Sequence, residues 1–454
     1  YEPGSPAPDM GIYTLGVPIL GICYGMQVMA HQLGGEVRPL RKGEYGKVEI
    51  RQVRRSTLFG DLHTTLVCWM SHGDVVAELP KGFHHLAESA QVKYCAMENP
   101  RKKFYGVQFH PEVSHTPWGM DLLRNFLYKI SGCQPLWTME KFAERARESI
   151  REQVGKDKVI CALSGGVDST ATAVLVHQAV GKQLTGIFVD HGFLRKNEAQ
   201  EVIQTLRKHF QIPVWIRDAQ EIFLKRLSGV RDPEEKRIII GRTFVEIFEE
   251  EAKKIRGVKW LAQGTLYPDV IESQFGTKGP AARIKAHHNV AGLPEKMKLK
   301  LLEPFRYLFK DEVRLLALQL GIPKSIALRQ PFPGPGLAIR IIGEITPERL
   351  AILREVDTII VEEIQRAGIA QELWQYFAVL PVVKTVGVMG DKRSYAYPVV
   401  LRVVTSRDGM TADWYRIPYS LLERIGQRVL NEVPGVNRFL LDVTSKPPAT
   451  IEWE

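Results

Sequence analysis

Two groups of residues in this sequence have the types and spacing for covalent chemistry, and the first centres on Cys23. Glycines stand two residues before and after this cysteine, an apolar run leads into it and a helical pattern follows it. Such a turn exposes a nucleophile, and the adjacent helix N-terminus helps to stabilise a thiolate. His110 and Glu112 follow another apolar run and supply a base and an acid that orients it. These residues predict a Cys-His-Glu triad; the alternative is a buried structural cysteine and an unrelated loop histidine.

The second group is a glycine-rich turn between a predicted strand and a predicted helix. It consists of Ser164, Gly165, Gly166, Val167, Asp168 and Ser169. Small residues let backbone N–H groups approach an anion, and a helix N-terminus favours negative charge. The turn lacks the GxxxxGK[ST] spacing and the lysine of an ATPase P-loop, and it does not match GxGxxG. It therefore predicts an anion site of another class.

The elements that position these residues form three blocks, which we assign as domains at residues 1–134, 135–330 and 331–454. The first block alternates short apolar runs with turns, and the third predicts an α+β unit after a Pro/Gly-rich stretch. The second alternates strands and helices, which is typical of an α/β parallel sheet with helices on both faces. Its predicted strands span 158–163, 184–189, 214–216 and 259–262, and its predicted helices span 168–180, 198–210 and 233–255.

Composition limits the class of protein. The 454 residues are 44% hydrophobic and 25% charged, which is ordinary for a globular chain. A membrane span needs about 20 consecutive apolar residues, and the most apolar stretch, 16–30, is broken by Pro18 and Gln27. Five cysteines without a CxxC pair indicate a reducing compartment, so we expect a cytoplasmic protein that does not contact a membrane. The net charge of +10 fits nucleic acid, anionic small molecules or solubility alone.

The segments around the cysteine and the histidine are similar to those of class I glutamine amidotransferases. They read GICYGMQ at 21–27 and GVQFHPE at 106–112. The resemblance implies that Cys23 attacks the side-chain amide of glutamine, that a thioester forms and that ammonia leaves. His110 would act as general base and acid, with Glu112 orienting it.

The same resemblance implies a glutamine-binding set. It includes Gln27 of the first motif and Asp74, which follows the Ser-His-Gly segment at 71–73 and would hold the substrate amino group. A turn aspartate is the alternative for Asp74. The chain begins at Tyr1, so we expect that it starts inside a longer protein and that half of the oxyanion hole lies upstream. Within these residues, the amide of Tyr24 is the expected oxyanion donor.

The turn at 164–169 resembles the pyrophosphate-binding loop of the ATP pyrophosphatases, whose fold is like that of the adenine-nucleotide α-hydrolases. Further strings resemble the family of glutamine-hydrolysing GMP synthases. They lie at 232–237, 262–265, 267–273, 287–289, 331–337 and 445–454. This resemblance covers essentially the whole chain. It implies that xanthosine monophosphate (XMP) is adenylated on its C2 oxygen by Mg-ATP, and that ammonia then displaces AMP to give GMP.

For that chemistry the remaining candidates form three sets. The ATP set adds Asp190, Gln263, Gly264 and Lys285 to the loop, and Lys285 would neutralise charge on the α-phosphate. The XMP set consists of Arg237, Asp391, Lys446 and Glu452. Asp269 and Glu272 share one face of a helical turn and offer hard oxygen ligands for Mg²⁺. Helix-capping acids, a solvated basic loop or helix face, and turn or tail charges remain the alternatives.

Other functions remain open at this point. Another amidating ATP pyrophosphatase, such as an NAD-synthesising enzyme, is disfavoured by the cysteine turn with His-Pro-Glu. A tRNA-modifying pyrophosphatase is disfavoured because the GxxG spacing at 387–390 continues into Asp391, which opposes phosphate binding. We expect glutamine, ATP and XMP as partners, no nucleic acid, and a homodimer formed through the third block. Gln330 stands where the family usually carries histidine, and because glutamine cannot titrate we assign it no catalytic role.

Overall fold

The computed structural model describes residues 4–113, 115–275, 299–389, 391–406, 409 and 411–454. The chain divides into two compact bodies, Tyr1–Leu136 and Trp137–Glu454. Within the described residues, no helix has both the length and the apolar character needed to cross a membrane.

The first body is built on one mixed sheet. Its strands are β1 (Ile19–Ile22), β2 (Glu36–Gln52), β3 (Thr65–Glu78), β4 (His84–Ser89), β5 (Ala96–Asn99) and β6 (Phe104–Val107). Its helices are α1 (Tyr24–Gln32) and α2 (Gly119–Arg124), with short 3-10 and π segments at Met10–Thr14 and Asn125–Ile130. The strand order is β1-β6-β5-β4-β2-β3, in which β1 and β6 run parallel and the other neighbours antiparallel. Parallel pairing brings the carboxyl ends of β1 and β6 to the same edge of the sheet.

The second body begins with a parallel sheet. Its strands are β7 (Lys158–Leu163), β8 (Leu184–Asp190), β9 (Val214–Asp218), β10 (Val258–Ala262) and β11 (Lys300–Leu302), in the order β11-β10-β7-β8-β9. The helices are α3 (Met139–Val154), α4 (Val167–Val180), α5 (Glu198–Gln204), α6 (Gln220–Arg226), α7 (Pro233–Lys253), α8 (Tyr267–Phe275), α9 (Lys310–Gln319) and α10 (Lys324–Ala327). Every neighbouring strand pair is parallel, which confirms the predicted sheet.

Local signals in the sequence set several of these helix boundaries. Thr138 caps α3 by accepting a hydrogen bond from the Lys141 amide at 3.3 Å. Asp232 caps α7 in the same way, and Pro233 occupies the first turn, where its missing N–H has no cost. The helix predicted at 198–210 instead changes to a π-helical turn at Thr205–His209.

The remaining part of the second body is α+β, as predicted. Its strands are β12 (Ile341–Ile342), β13 (Gln375–Pro381), β14 (Thr385–Met389), β15 (Lys392–Thr405), β16 (Asp413–Trp414) and β17 (Val436–Asp442), and its helices are α11 (Pro347–Arg366) and α12 (Tyr419–Glu432). The strands follow the order β12-β13-β15-β14, and β16 and β17 also pair with β15.

One hydrophobic core continues from the parallel sheet into this α+β part. It joins Ile187 and Phe248, which belong to the parallel sheet and its helix α7, to Leu353, Val356 and Leu401 of the C-terminal part. The predicted boundary at 134/135 lies close to the division between the two bodies. The predicted boundary at 330/331 falls inside the second body, and the three-domain division remains a prediction.

Candidate active sites

Cys23 lies in a strained turn at the edge of the first sheet. Its φ of 52° and ψ of −108° fall in the region that favours glycine, and it forms the N-cap of α1. The Cys23 amide donates to the carbonyl of Val107, the last residue of β6, at 2.8 Å. A non-glycine residue in such a conformation is costly and is typical of functional sites. The turn therefore presents the thiol at the edge where β6 also ends.

The surroundings of the Cys23 thiol contain an amide that sequence reasoning missed. Gln108 is fully buried, and its Nε2 lies 3.7 Å from Cys23 Sγ. Burial raises the pKa of the Cys23 thiol, while hydrogen bonds from the Tyr24 amide and Gln108 lower it by less. The amide at the N-terminus of α1 therefore favours the thiolate, as expected, but burial has the larger effect and the net pKa is raised. A neutral thiol needs a base.

His110 and Glu112 supply that base and its orienting group. The His110 ring Nδ1 lies 2.7 Å from Glu112 Oε1, and the imidazole is about a quarter exposed at 25%. The backbone around the histidine is fixed, since its amide donates to the Trp69 carbonyl at 3.0 Å and its carbonyl accepts from Thr116 Oγ1 at 2.7 Å. With Nδ1 occupied, Nε2 is the nitrogen that can exchange a proton with a substrate or a thiol.

The predicted glutamine-binding residues are linked to the thiol. Gln27 is buried, and its Nε2 donates to the Asp74 carbonyl at 2.6 Å and to Gln108 Oε1 at 3.1 Å. The chain Asp74–Gln27–Gln108–Cys23 thus fixes the surroundings of the thiol. Ser71 also approaches, with its carbonyl 3.7 Å from Cys23 Sγ. Direct contact of Gln27 and Asp74 with glutamine remains a prediction.

The two glycines that flank Cys23 differ in the space around them, and this difference gives a test of the turn. A Cβ at Gly21 would lie 2.6 Å from the Gly25 carbonyl oxygen, whereas a Cβ at Gly25 would meet nothing within 4 Å. We expect Gly21→Ala to lower the free energy of unfolding by about 1–3 kcal/mol because the backbone must shift. Gly25→Ala, the matched control, should be neutral or stabilising by up to about 1 kcal/mol, since the residue is helical. Denaturant unfolding of both variants measures this, and equal stabilities would contradict the geometry.

The glycine-rich turn of the second body, which we call the anion loop (residues 164–169), connects β7 to α4. Gly165 has a φ of +84°, and Gly166 is the N-cap of α4. The two hydroxyls of the loop lie 3.2 Å apart, and Ser169 Oγ also donates to the Gly166 carbonyl at 3.1 Å. The turn places the N-terminus of α4, the positive end of the helix dipole, at the end of β7, as an anion site requires.

A lysine that the sequence did not reveal contacts the loop. Lys310, the first residue of α9, forms an ion pair with Asp168. The pairing offsets the negative charge that Asp168 would otherwise place beside a phosphate. The other carboxylate oxygen, Asp168 Oδ1, is buried and has no hydrogen-bond partner among the described residues. The two residues are 142 positions apart, so no local pattern could have indicated the contact.

A cavity of about 350 Å³ adjoins the anion loop and is lined by five of the predicted ATP residues, three of which, Ser164, Asp168 and Ser169, belong to the loop. Gln263 and Gly264 line it, and Gln263 Oε1 is buried without a partner in the described part of the chain. His191 also lines it; burial lowers the pKa of this histidine to about 4, so its ring is neutral near pH 7. Asp190 ends β8 as predicted, but its oxygens accept from the Gly192 amide at 2.9 Å and Gln220 Nε2 at 3.2 Å.

The candidate metal residues and Lys285 of the ATP set differ in how much of them the structure describes. Asp269 lines the same cavity, and its Oδ2 caps α8 by accepting from the Leu266 amide at 2.9 Å. The Glu272 side chain and all of Lys285 lie outside the described residues. Across the ranges that the structure describes, no three His, Cys, Asp or Glu side chains form a metal-binding group.

The predicted XMP residues occupy separate places. Arg237 of α7 lines the 350 Å³ cavity, and its NH2 donates to the Glu454 backbone oxygen at 2.5 Å. Lys446 Nζ donates to the Gly409 carbonyl at 2.8 Å, and Asp391 is exposed at the turn between β14 and β15. Their contacts with XMP remain a prediction.

Glu452 is engaged by an arginine that the sequence analysis missed. The Arg340 side chain is 0% exposed and donates two hydrogen bonds, of 3.0 and 2.9 Å, to the two carboxylate oxygens of Glu452. Its guanidinium also lies 4.0 Å from the centroid of the Phe377 ring, and its NH1 lies 3.7 Å from Asp357 Oδ1. Gln375 Nε2 donates to Glu452 at 3.0 Å. The C-terminal segment 445–454, which we call the tail, is therefore held by a buried bidentate ion pair.

Comparisons with known proteins bear on both sites. The class-I glutamine amidotransferase model matches residues 3–130, the PP-loop domain model matches 138–232, and the model of the GMP synthase C terminal domain matches 362–453. The chain is 59% identical over 454 residues to the GMP synthase [glutamine-hydrolyzing] of Carboxydothermus hydrogenoformans, covering 100% of this chain and 89% of that protein. This chain belongs to the glutamine-hydrolysing GMP synthase family. A second member, from Symbiobacterium thermophilum, is 58% identical over 451 residues, which cover 99% of this chain and 87% of that protein.

Gln330, to which we assign no catalytic role, pairs with the backbone of β13. Its Nε2 donates to the Tyr376 carbonyl at 2.9 Å, and its Oε1 accepts from the Tyr376 amide at 2.8 Å. The side-chain amide thus mimics a strand partner for β13. That residue 330 has no catalytic role remains a prediction.

Proposed function

We propose a division of labour in which the first body makes ammonia at Cys23 and the second body uses it at the anion loop. The chain is a glutamine-dependent GMP synthase by family, and the residue roles are our proposal. One observation supports it above the others: a strained Cys23 shares a sheet edge with a histidine–glutamate pair, in the same polypeptide as an anion loop held by Lys310.

In the glutaminase reaction, Cys23 Sγ attacks the side-chain amide carbon of glutamine and transfers its proton to His110 Nε2. Glu112, at 2.7 Å from Nδ1, stabilises the imidazolium that forms. The Tyr24 amide at the start of α1 donates to the oxyanion. The imidazolium returns the proton to the leaving nitrogen, ammonia departs, and water hydrolyses the thioester to glutamate. Because the resting thiol has a raised pKa, thiol activation depends on this proton transfer.

In the synthetase reaction, the C2 oxygen of XMP attacks the α-phosphorus of ATP. The bond from that phosphorus to the bridging oxygen breaks, and pyrophosphate leaves with the electron pair. Backbone amides of the anion loop and Lys310 stabilise the charge that develops on pyrophosphate. Ammonia then attacks C2, the bond from C2 to the adenylate oxygen breaks, and AMP and a proton leave. Gln263 Oε1, buried without a partner among the described residues, is placed to accept from a ligand in the cavity.

The residues present fit the Mg²⁺ that nucleotidyl transfer uses. Mg²⁺ usually takes one or two carboxylates and completes its shell with phosphates and water. Asp168 Oδ1 is a buried carboxylate oxygen without a partner in the described chain, and Asp269 lines the same cavity. We propose that these two residues hold the ion, with Glu272 as predicted; when bound, it neutralises charge on the phosphates.

We also propose a cytoplasmic homodimer. All five cysteines are free thiols, in keeping with a reducing compartment. On the hairpin of β14 and β15 the apolar side chains of Val386, Val388 and Tyr395 are 50%, 74% and 63% exposed, a pattern that favours a partner surface. Light scattering during gel filtration measures the mass, and a monomeric mass would contradict the dimer.

The proposed function is tested by supplying XMP and ATP with either glutamine or an ammonium salt. Both nitrogen sources should give GMP, AMP and pyrophosphate in equal amounts, and glutamine should also give glutamate. Omitting XMP should abolish release of AMP and pyrophosphate. If ATP were cleaved to ADP, or if no AMP appeared with XMP, the assignment to the second body would fail.

A further inference from the structure

The anion loop separates two cavities. The cavity of about 350 Å³ described above contains Gln263 and Arg237. A second cavity, of about 160 Å³, lies against the loop on the side of α9 and is lined by Gly166, Lys310 and Arg314. Ser164 and Asp168 line both. A phosphate group on the loop therefore has open space on a side that the cavity of about 350 Å³ does not occupy.

The second cavity continues into a larger groove. A groove of about 720 Å³ shares four lining residues with it, namely Glu198, Arg314, Arg329 and Gln330. Farther out, the exposed residues Lys324 and Leu328 line the groove. The small cavity and the groove are thus adjacent, and together they mark a path from the anion loop toward solvent.

The arginines along this path differ in whether a carboxylate neutralises them. Arg329 is neutralised by Glu198 at 2.8 Å and Glu201 at 2.6 Å, and Arg195 by Asp357 at 3.1 Å. Arg314 differs, because in the described part of the chain no carboxylate pairs with it. Its NH2 donates only weakly to the Arg329 carbonyl at 3.3 Å, and its Nε is buried without a partner among the described residues. A guanidinium without a counter-ion at the junction of two cavities favours an anion there.

Helix α9 places two cations in series along the path. Lys310 and Arg314 are four residues apart, so they share a face and are separated by about 6 Å along the axis. Lys310 contacts Asp168 of the loop, and Arg314 lies where the small cavity meets the groove. An anion that leaves the loop can therefore move from contact with Lys310 to contact with Arg314 over a distance of about one helical turn.

We propose that this groove is the exit path of pyrophosphate and that Arg314 binds pyrophosphate as it leaves. The inference rests on the proposed function, in which pyrophosphate departs from the anion loop with the electron pair of the broken bond. The cavity that contains Gln263 and Arg237 lies on the other side of the loop, so pyrophosphate can leave without crossing it.

The test is product inhibition of the ammonia-dependent reaction by added pyrophosphate. In Arg314→Gln, the inhibition constant for pyrophosphate should rise about tenfold, because a charge-assisted hydrogen bond is lost. The KM for ATP should change by less than twofold. Arg314→Lys keeps the charge and should stay within about threefold of the wild type. Arg147→Gln is the matched control, since Arg147 NH1 bonds the neutral Gln178 Oε1 at 3.1 Å and lines neither cavity.

A second variant keeps the proposal testable if Arg314→Gln fails to fold. Leu328 is 38% exposed in the groove wall, so Leu328→Glu can add a negative charge without disturbing the core. It should weaken pyrophosphate inhibition about threefold, more strongly at low salt. Unchanged inhibition in the folded variants would overturn the proposal. So would an ATP KM that rises as much as the inhibition constant, because Arg314 would then bind the triphosphate. A wild-type enzyme that makes no GMP from ammonia would instead refute the proposed function.

Discussion

Cys23→Ala is expected to abolish GMP formation from glutamine while leaving the rate with ammonia within about twofold of the wild type. Removal of a covalent nucleophile typically lowers the rate of its reaction by about 10⁴-fold or more. The synthetase residues lie in the other compact body, and ammonia from solution bypasses the thiol. Initial rates of GMP formation with glutamine and with an ammonium salt measure both effects.

The chain offers a matched control for that substitution. Cys133 is an exposed free cysteine outside the strained turn, so Cys133→Ala should leave both rates within about twofold. His110→Ala should resemble Cys23→Ala, because the neutral thiol needs the base. If Cys23→Ala lowered both rates equally, the two-site arrangement would be wrong.

Among substitutions that remove one partner of an ion pair described above, Arg340→Leu should cause the largest decrease in the free energy of unfolding. The substitution leaves Glu452, whose side chain is 16% exposed, without the guanidinium that holds both of its oxygens. Breaking a buried pair from one side usually costs about 3–5 kcal/mol. The tail should loosen, so the KM for XMP should rise more than kcat falls. Denaturant unfolding gives the stability, and steady-state kinetics in XMP give the second effect.

Two further variants serve as a control and as a rescue for that substitution. Lys259→Leu removes an ion pair of 2.8 Å to Asp157 in which the lysine is 64% exposed, and it should cost less than about 1 kcal/mol. Adding Glu452→Gln to Arg340→Leu removes the unpaired charge and should restore part of the stability. A loss in Arg340→Leu no greater than that in Lys259→Leu would show that the buried pair does not hold the tail.

The parallel sheet was predictable because its signals are local. Continuous apolar runs marked β7, β8 and β10, and caps such as Thr138 marked where helices begin. The pairing of β2 and β3 into a long hairpin was not predicted. The first half of β2, up to Glu44, is rich in charge and its burial does not alternate, although buried and more exposed residues alternate along β3 from Leu66 to Gly73. The ladder hydrogen bonds of the hairpin depend on the partner strand and not on the local sequence.

In the candidate sites, too, residues of local motifs were predictable and long-range contacts were not. Motifs located Cys23, His110 and the anion loop because their chemistry depends on near neighbours. Lys310 and Arg340 were missed, because each acts on a residue more than 100 positions away, with separations of 142 and 112. Packing of the finished fold decides those pairs. The same reason explains the thiol, whose pKa is set by burial that the motif does not encode.

The core that runs through the second body determines where this polypeptide could be divided into separate gene products. A cut after Leu136 falls between two bodies that each have their own apolar cores. A cut at residue 330 would separate Phe248 from Leu353 and Val356 and expose both halves of one core to water. Exposed apolar surface costs about 25 cal/mol per Å², so that cut should destabilise the C-terminal part, whereas the parallel-sheet part keeps a second core of its own. The first body is therefore the better candidate for separate expression.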